Sequence, residues 1–240
     1  MASATAAADV RRQVERLYAQ GYAEGEDGSR TPLDPHALAA VDARELRDLA
    51  VAEGAGATLE VGLGLGLGAL ALCEALLTVG SPDARHVVVE GFPRDFGGAG
   101  GRTLRDAGVE ELVEQVHEES QLALPRLAAE GRRFDVALID GDHRFDGVFL
   151  DLYYADRLVR PGGLVIVDDL WMPSIRHAVS YVERNLSWEL LPDAMTRAFR
   201  WRRPRHLPGR RLRGAGNMAV LRRPAQQPER RAWDEFVPFA

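Results

Sequence analysis

The sequence contains no lysine, and all 30 of its basic side chains are arginine. Chemistry that depends on a lysine general base or a lysine Schiff base is therefore excluded, because arginine stays protonated in proteins. The single cysteine, Cys73, excludes a disulfide framework and a cysteine-based zinc site. Its position on a predicted helix face is typical of a small buried apolar residue.

Long apolar runs are also missing. No stretch approaches the ~18 residues of a membrane span, and residues 1–9 lack the basic and apolar regions of a signal peptide. We therefore expect a cytoplasmic protein with no membrane partner. A length of 240 residues with a hydrophobic share of 46% suits one α/β domain with a full core.

Arginines concentrate in residues 197–213, although the net charge of the whole chain is −6. This stretch also contains Trp201 and His206, whose rings suit stacking on bases. The acidic total and the lack of a nucleic-acid-binding motif argue against a nucleic-acid partner. We expect a solvated hairpin loop here, with a lid over an anionic substrate or a subunit contact as alternatives.

Apolar runs alternate with helical patterns along most of the chain. Helices are predicted at 6–22 and 34–52, the second with Asp34 as its N-cap. Strand–helix units follow, with strands at 57–61, 86–90, 113–117, 134–139 and 163–168 and helices at 68–78, 97–107, 121–130, 145–159 and 173–185. Residues 160–163 read as a tight turn before the last of these strands, and two more strands are predicted at 188–191 and 215–221.

This alternation predicts a Rossmann-like, doubly wound α/β fold with a mostly parallel, seven-stranded sheet. We expect residues 1–50 to form an N-terminal helical cap and residues 51–240 to form one domain that ends in a hairpin and an aromatic tail. Exposed aromatic residues in that tail, Trp233 to Phe239, would form an apolar patch that soluble monomers rarely tolerate. The tail therefore suggests a homodimer.

Acidic residues end several of the predicted strands and flank a glycine-rich turn. They are Glu60 in the first strand, Glu90 after the second, Asp140 after the fourth, and Asp168 and Asp169 after the fifth. Carboxyl ends of parallel strands line one crevice, and glycines let a ligand lie against the backbone at the start of the next helix. The sequence therefore predicts one ligand pocket lined by carboxylates.

The glycine turn alone does not identify the ligand, since residues 64–69 also fit the dinucleotide pattern of a nicotinamide-dependent oxidoreductase. Glu60 before the first glycine and Asp140 after the fourth strand favour another nucleoside. Residues 60–66 (Glu-Val-Gly-Leu-Gly-Leu-Gly) and 158–164 (Leu-Val-Arg-Pro-Gly-Gly-Leu) resemble two motifs of the class I S-adenosylmethionine-dependent methyltransferases. This resemblance spans roughly residues 38–185 and implies that residues 51–240 are a methyltransferase domain.

A narrower resemblance, to catechol-type O-methyltransferases, is carried by residues 120–125 (Ser-Gln-Leu-Ala-Leu-Pro). In those enzymes the serine and glutamine contact the adenine edge. Glu90 matches the acid that holds both ribose hydroxyls, since a carboxylate accepts two hydrogen bonds. The cofactor-binding residues that the resemblance implies are Glu60, Gly62, Gly64, Gly66, Glu90, Ser120, Gln121 and Asp140.

The same resemblance implies a Mg²⁺ site formed by Asp140, Asp168 and Asp169, whose hard oxygen ligands suit this ion. The metal would lower the pKa of a substrate hydroxyl so that it attacks the methyl group. Catechol-type enzymes place a lysine base three residues after the metal acid, where this chain has His143. Residues 139–143 also resemble sugar O-methyltransferases of antibiotic pathways, which favour the acid two residues on, here Asp142. The general base is therefore His143 or Asp142.

We accordingly expect an enzyme that transfers a methyl group from S-adenosylmethionine to a hydroxyl of a small molecule, assisted by Mg²⁺, in secondary metabolism. One alternative is a metal-independent methyltransferase that acts on a hydroxyl or an amine. Another is a non-catalytic protein that retains the cofactor site.

Overall fold

The computed structural model describes residues 2–191, 217–226 and 232–238. The arginine-rich stretch 197–213 and the last aromatic residue of the tail, Phe239, lie outside these ranges, so the predictions for them are not tested. Among the helices described, none has the length and apolar character needed to cross a membrane.

The N-terminal region combines helices with a small hairpin. Helix α1 (Ala2–Gln20) is followed by strands β1 (Tyr22–Glu24) and β2 (Arg30–Pro32), the short α2 (Leu33–His36) and helix α3 (Ala40–Ala52). Asp34 is not the N-cap of a long helix, and that prediction is wrong. Its ψ of 122° is extended, as expected for a residue before proline, and α3 begins only at Ala40.

The rest of the described chain forms one sheet with helices on both faces. The strands are β3 (Ala57–Val61), β4 (Arg85–Val89), β5 (Val113–Val116), β6 (Phe134–Ile139), β7 (Val159–Val167), β8 (Glu189–Leu190) and β9 (Ala219–Arg222). Their order is β5-β4-β3-β6-β7-β9-β8, and β9 runs antiparallel to both neighbours. The helices are α4 (Leu67–Val79), α5 (Ala99–Asp106), α6 (Ser120–Ala129), α7 (Phe145–Leu158) and α8 (Pro173–Asn185). This arrangement confirms the predicted doubly wound, mostly parallel, seven-stranded sheet.

Strand β7 begins earlier than predicted. Val159 pairs with Phe134 of β6, so the strand starts directly after α7, with an irregular register before Leu164. The Arg160 guanidinium donates to Asp135 Oδ1 at 2.7 Å, which fixes this segment against β6. Residues 160–163 stand opposite Asp135 alone and Gly162 has a φ of +77°, so the predicted turn is present as an irregularity within the strand.

The core occupies both faces of the sheet, as the nearly continuous apolar strands require. One face packs against α6, α7 and α8, and the other packs against α3 and α4, with α1 lying on α4. Cys73 on α4 is fully buried and free, which confirms its predicted packing role.

The described part of the tail lies on α8 of the same chain. Asn185 exchanges two hydrogen bonds with the backbone of Val237, at 2.9 and 3.0 Å. Arg184 donates to the Pro238 carbonyl oxygen, and the ring of Phe236 lies 6.3 Å from that of Tyr181. These contacts hold the described part of the tail against its own domain. The homodimer stays a prediction.

Candidate cofactor and active site

A cleft of about 630 Å³ opens at the carboxyl ends of β3, β4, β5 and β6. Its walls contain every predicted cofactor-binding residue except Gly66, together with Asp142, His143 and Asp169. Residues 35–38 close it from the N-terminal side. The strand-end carboxylates therefore do share one pocket, as the alternation of strands and helices predicts. Asp168 is the exception, because it does not line this cleft.

The glycine turn after β3 is shaped by close backbone approaches. Gly62 has a φ of +90°, and a Cβ at this position would lie 2.2 Å from the carbonyl oxygen of Asp140. Gly66, with φ of +85°, forms the N-cap of α4. Only glycine adopts such angles without strain and leaves room for the neighbouring loop.

Glu90 accepts hydrogen bonds from the loop after β3 and from the loop after β4. The backbone N–H groups of Leu63 and Gly64 donate to Glu90 Oε2 at 2.9 and 3.4 Å, and Phe92 N–H donates to Oε1 at 2.7 Å. Oε2 thus accepts two hydrogen bonds and Oε1 only one, so Oε1 keeps a lone pair that can accept a hydrogen bond from a ligand. The backbone contacts fix the direction in which that lone pair points.

Glu60 lies below the glycine turn and is only 1% exposed. Its Oε2 lies 3.0 Å from Nε2 of His86, whose Nδ1 lies 2.9 Å from the Thr58 hydroxyl. Burial, followed by the charges of Asp140 and Glu90, raises the pKa of Glu60 well above its usual range, whereas burial lowers that of His86 to about 3. Burial thus favours the neutral form of both side chains.

The carboxyl of Glu60 supports the start of α4. It accepts a hydrogen bond from the backbone of Ala69, and a Cβ on Gly68 would lie 2.4 Å from its Oε1. The main contacts of this carboxyl are thus within the protein, although Glu60 also lines the cleft. Sequence reasoning missed His86. The available signal was a histidine in an apolar strand, facing the same side of the sheet as Thr58 and Glu60.

Ser120 and Gln121 begin α6 at the outer end of the cleft. The Gln121 side-chain amide donates to Glu119 Oε2 at 2.6 Å. Behind them, on α7, lies the fully buried Asp151, whose pKa is raised to about 6 by burial, against a lowering by the Ser120 hydroxyl. Asp151 also escaped the sequence analysis, because it sits at a helix position that the apolar pattern assigns to the core.

Asp140, His143 and Asp169 converge at the other end of the cleft. His143 Nε2 lies 3.1 Å from Asp169 Oδ2 and 3.8 Å from Asp140 Oδ1, and the ligand atoms of all three lie within 4.8 Å of one another. Hydrogen bonding to Asp140 and Asp169 raises the pKa of His143 to about 10. At neutral pH the imidazolium therefore lies between two carboxylates.

Asp169 is held by residues that the sequence did not reveal. Its Oδ1 accepts hydrogen bonds from Trp171 Nε1 at 2.7 Å and from Asn217 Nδ2 at 2.8 Å. These bonds leave Oδ2 directed at His143. Asn217 precedes β9 and is far away in the chain, so no local pattern could connect it with Asp169.

Asp168 lies beside the cluster of Asp140, His143 and Asp169 but is not part of it. It is 3% exposed, and its Oδ1 has no hydrogen-bond partner within the described part of the chain. Burial, followed by the charges of Asp140 and Asp169, raises its pKa well above the usual range. The structure thus brings two of the three predicted metal ligands, Asp140 and Asp169, together with His143 instead of Asp168.

Asp142 is engaged by Arg144. Its Oδ1 accepts hydrogen bonds from the backbone N–H and from Nε of Arg144, both at 3.0 Å. These contacts lower the pKa of Asp142. A carboxylate with a lowered pKa is a weak general base, so the geometry disfavours Asp142 relative to His143.

Comparison with known proteins decides the class of this fold. Residues 59–170, from β3 to the loop after β7, match the family model described as a methyltransferase domain. This segment is a methyltransferase domain. The match confirms the class of enzyme that the motifs predicted. No curated protein matches the chain.

Solved structures share the architecture of this methyltransferase domain. The O-methyltransferase TomG of Streptomyces achromogenes, involved in tomaymycin synthesis and solved with S-adenosylmethionine (SAM), is 21% identical with a TM-score of 0.62, over 90% of this chain and 89% of TomG. A Bacillus cereus O-methyltransferase in complex with SAH is 16% identical with a TM-score of 0.61, over 90% and 91%. Cofactor-bound Rv0187 from MTB is 23% identical with a TM-score of 0.60, over 78% and 81%. At these identities the likeness shows a shared fold.

Proposed function

We propose that this protein transfers a methyl group from SAM to a hydroxyl group of a small molecule. The observation that carries the proposal is the order of polar groups along one edge of the sheet, from Ser120 through Glu90 and the glycine turn to Asp140. Two of the structurally similar proteins are O-methyltransferases bound to SAM or S-adenosylhomocysteine (SAH). One of them takes part in tomaymycin synthesis, which supports a role in secondary metabolism.

The strand order supports one orientation of SAM in the cleft. Neighbouring strands are about 4.8 Å apart, so the groups after β5, β4, β3 and β6 form a row on the scale of a nucleoside with an amino-acid tail. With the ribose hydroxyls on Glu90, the adenine reaches Ser120 and Gln121 after β5. The methionine end then crosses the glycine turn, and the sulfonium comes near Asp140.

We include a Mg²⁺-type ion in this proposal, held by Asp140, Asp169 and Asp168. The site fits a cation because three carboxyls lie near one another and the buried Oδ1 of Asp168 lacks a partner in the described residues. Such an ion supplies a positive charge that lowers the pKa of a hydroxyl bound to it. Asp169 is already oriented for ligation, because Asn217 and Trp171 hold its other oxygen.

His143 is the proposed general base, and it must first lose its own proton. Between Asp140 and Asp169 its pKa is about 10, so the free enzyme holds it as an imidazolium at neutral pH. Positive charge in the cleft, from a sulfonium or a divalent ion, lowers the pKa of an imidazole. His143 then accepts the hydroxyl proton only in the loaded site.

A metal-independent methyltransferase is the second candidate function. The specific observation in its favour is that His143 itself supplies a positive charge between Asp140 and Asp169. In that case the histidine orients the acceptor and neutralises the carboxylates.

Transfer of a labelled methyl group from SAM to a panel of catechols and sugars tests both functions. We expect a methylated hydroxyl product, loss of turnover in EDTA, recovery with Mg²⁺, and an Asp168→Ala variant that behaves like the chelated enzyme. Asp83→Asn, at the opposite edge of the sheet, is the matched control. Full turnover in EDTA by the parent protein and by Asp168→Ala would establish the metal-independent function.

Three broader assignments belong to the same proposal. Residues 1–50 form an N-terminal cap, of which residues 35–38 reach the cleft, and residues 51–240 form the methyltransferase domain. The protein acts as a homodimer without a nucleic-acid partner. A monomer mass by light scattering at micromolar concentration would exclude the dimer.

A further inference from the structure

Helix α7 carries a buried carboxyl that the proposed reaction does not use. Asp151 has 0% exposure, and neither of its side-chain oxygens accepts a well-formed hydrogen bond from any residue that the structure describes. Burying a carboxyl without such partners opposes folding. A second role is therefore needed to explain a carboxyl at this position.

Ser120, at the first position of α6, acts on Asp151 through its hydroxyl. The Ser120 hydroxyl lowers the pKa of Asp151, while burial, the larger effect, and the charge of Asp142 raise it, to about 6 overall. Near pH 8 Asp151 is then a carboxylate, which only accepts hydrogen bonds. Helices α6 and α7 pack directly on each other, which brings the Ser120 hydroxyl and the Asp151 carboxylate together.

Ser120 separates Asp151 from the cleft. Ser120 lines the cleft wall, whereas Asp151 does not. A hydroxyl has one hydrogen and two lone pairs, so a serine that donates its hydrogen to Asp151 presents only acceptor capacity to a ligand. Glu119, which accepts from the Gln121 amide at 2.6 Å, adds a second acceptor at this end of the cleft.

We propose that Asp151 is a positioning residue that accepts the Ser120 hydroxyl hydrogen and thereby makes Ser120 an acceptor for the 6-amino group of the cofactor's adenine. The inference rests on the proposed function, since it requires the nucleoside to lie with its base at β5. The inference also predicts which purine bases the site accepts. A purine with an amino group at C6 is accepted, and one with a carbonyl oxygen there is rejected because two acceptors then face each other.

Calorimetric titration at pH 8 with SAH and with its deaminated analogue, S-inosylhomocysteine, tests the rule. We expect the parent protein to prefer SAH by roughly 10- to 100-fold, the usual cost of mismatched buried polar groups. Asp151→Val should narrow this preference to within about 3-fold, mainly by weakening SAH. Asp151→Asn keeps an acceptor oxygen and should retain more of the preference than the valine variant does.

Further variants separate positioning from structure. Ser120→Ala should lose the same preference as Asp151→Val, and the double variant should lose no more, because the two residues act as one unit. The melting temperature of Asp151→Val should not fall, since the variant removes a buried carboxyl without full partners. Asp83→Asn, an exposed carboxylate far from the cleft, should behave like the parent protein.

The outcomes are distinguishable. A parent protein that binds neither SAH nor the analogue refutes the proposed function and this inference with it. A parent protein that binds SAH but shows the same preference in Asp151→Val, Asp151→Asn and Ser120→Ala overturns the inference alone. A lower melting temperature with an unchanged preference shows that Asp151 is purely structural.

Discussion

Replacing Gly62 by alanine should disrupt the junction on which the site is built. The new Cβ would lie 2.2 Å from the Asp140 carbonyl oxygen and 2.7 Å from its carbonyl carbon. Backbone atoms cannot rotate away as a flexible side chain can, so either the glycine turn or the loop that carries Asp140 must move. Glu90 holds the turn from its other side, which limits the movement further.

The magnitude follows from two additive costs. A left-handed backbone with a Cβ costs about 1–2 kcal/mol, and overpacking costs about 1–3 kcal/mol more. Gly108→Ala is the matched control, because Gly108 has a φ of +66° but nothing within 4 Å of a Cβ. The two variants should therefore differ by about 1–3 kcal/mol, or roughly 2–12 °C in melting temperature for a domain of this size.

Thermal denaturation of both variants, followed by titration with SAH, measures these effects. Gly62→Ala should be the less stable variant and should bind SAH weakly, whereas Gly108→Ala should bind it like the parent protein. Equal melting temperatures and equal SAH affinities for the two variants would refute the reasoning, because the close approach of the turn to Asp140 would then carry no energetic weight.

The remaining predictions concern individual side chains of the cleft. Glu90→Ala should weaken SAH binding roughly 10- to 100-fold by calorimetry, since it removes about 1.5–3 kcal/mol of charge-assisted hydrogen bonding; an unchanged affinity would reject the ribose assignment. His143→Ala should lower kcat roughly 10²- to 10⁴-fold with SAM affinity nearly intact; if Asp142→Asn loses the rate instead, Asp142 is the base. The folded pKa of His143, about 10, lies above the ordinary 6.5. Its contribution to stability is therefore complete below about pH 6.5 and disappears as the pH rises towards 10. Denaturant titrations across this range should show that slope in the parent protein but not in His143→Gln.

The fold and the position of the cleft could be predicted because their signals are local. Each strand is a short apolar run that ends in a glycine or an acid, and the carboxyl ends of parallel strands must meet at one edge. Glu90 and Asp140 therefore reach the cleft as expected. The start of β7 was missed because Val159 pairs with Phe134 before the Pro-Gly-Gly turn, a pairing that no local signal reveals.

The supporting groups of the site were not predictable, since they depend on contacts between distant segments. Asn217 orients Asp169 across 48 positions of sequence. His86 reaches Glu60 from the neighbouring strand, and Asp151 meets Ser120 from another helix. The direction of a side chain at a strand end is also set by tertiary packing. For this reason Asp169 faces the cleft while the adjacent Asp168 does not.

Calorimetric titration of the parent protein with SAH, with NADH as the competing ligand class, tests the central claim most directly. The account predicts one SAH site per chain, no NADH binding, and tighter SAH binding in the parent than in Glu90→Ala. NADH binding in place of SAH, or SAH binding that is indifferent to Glu90, would contradict it.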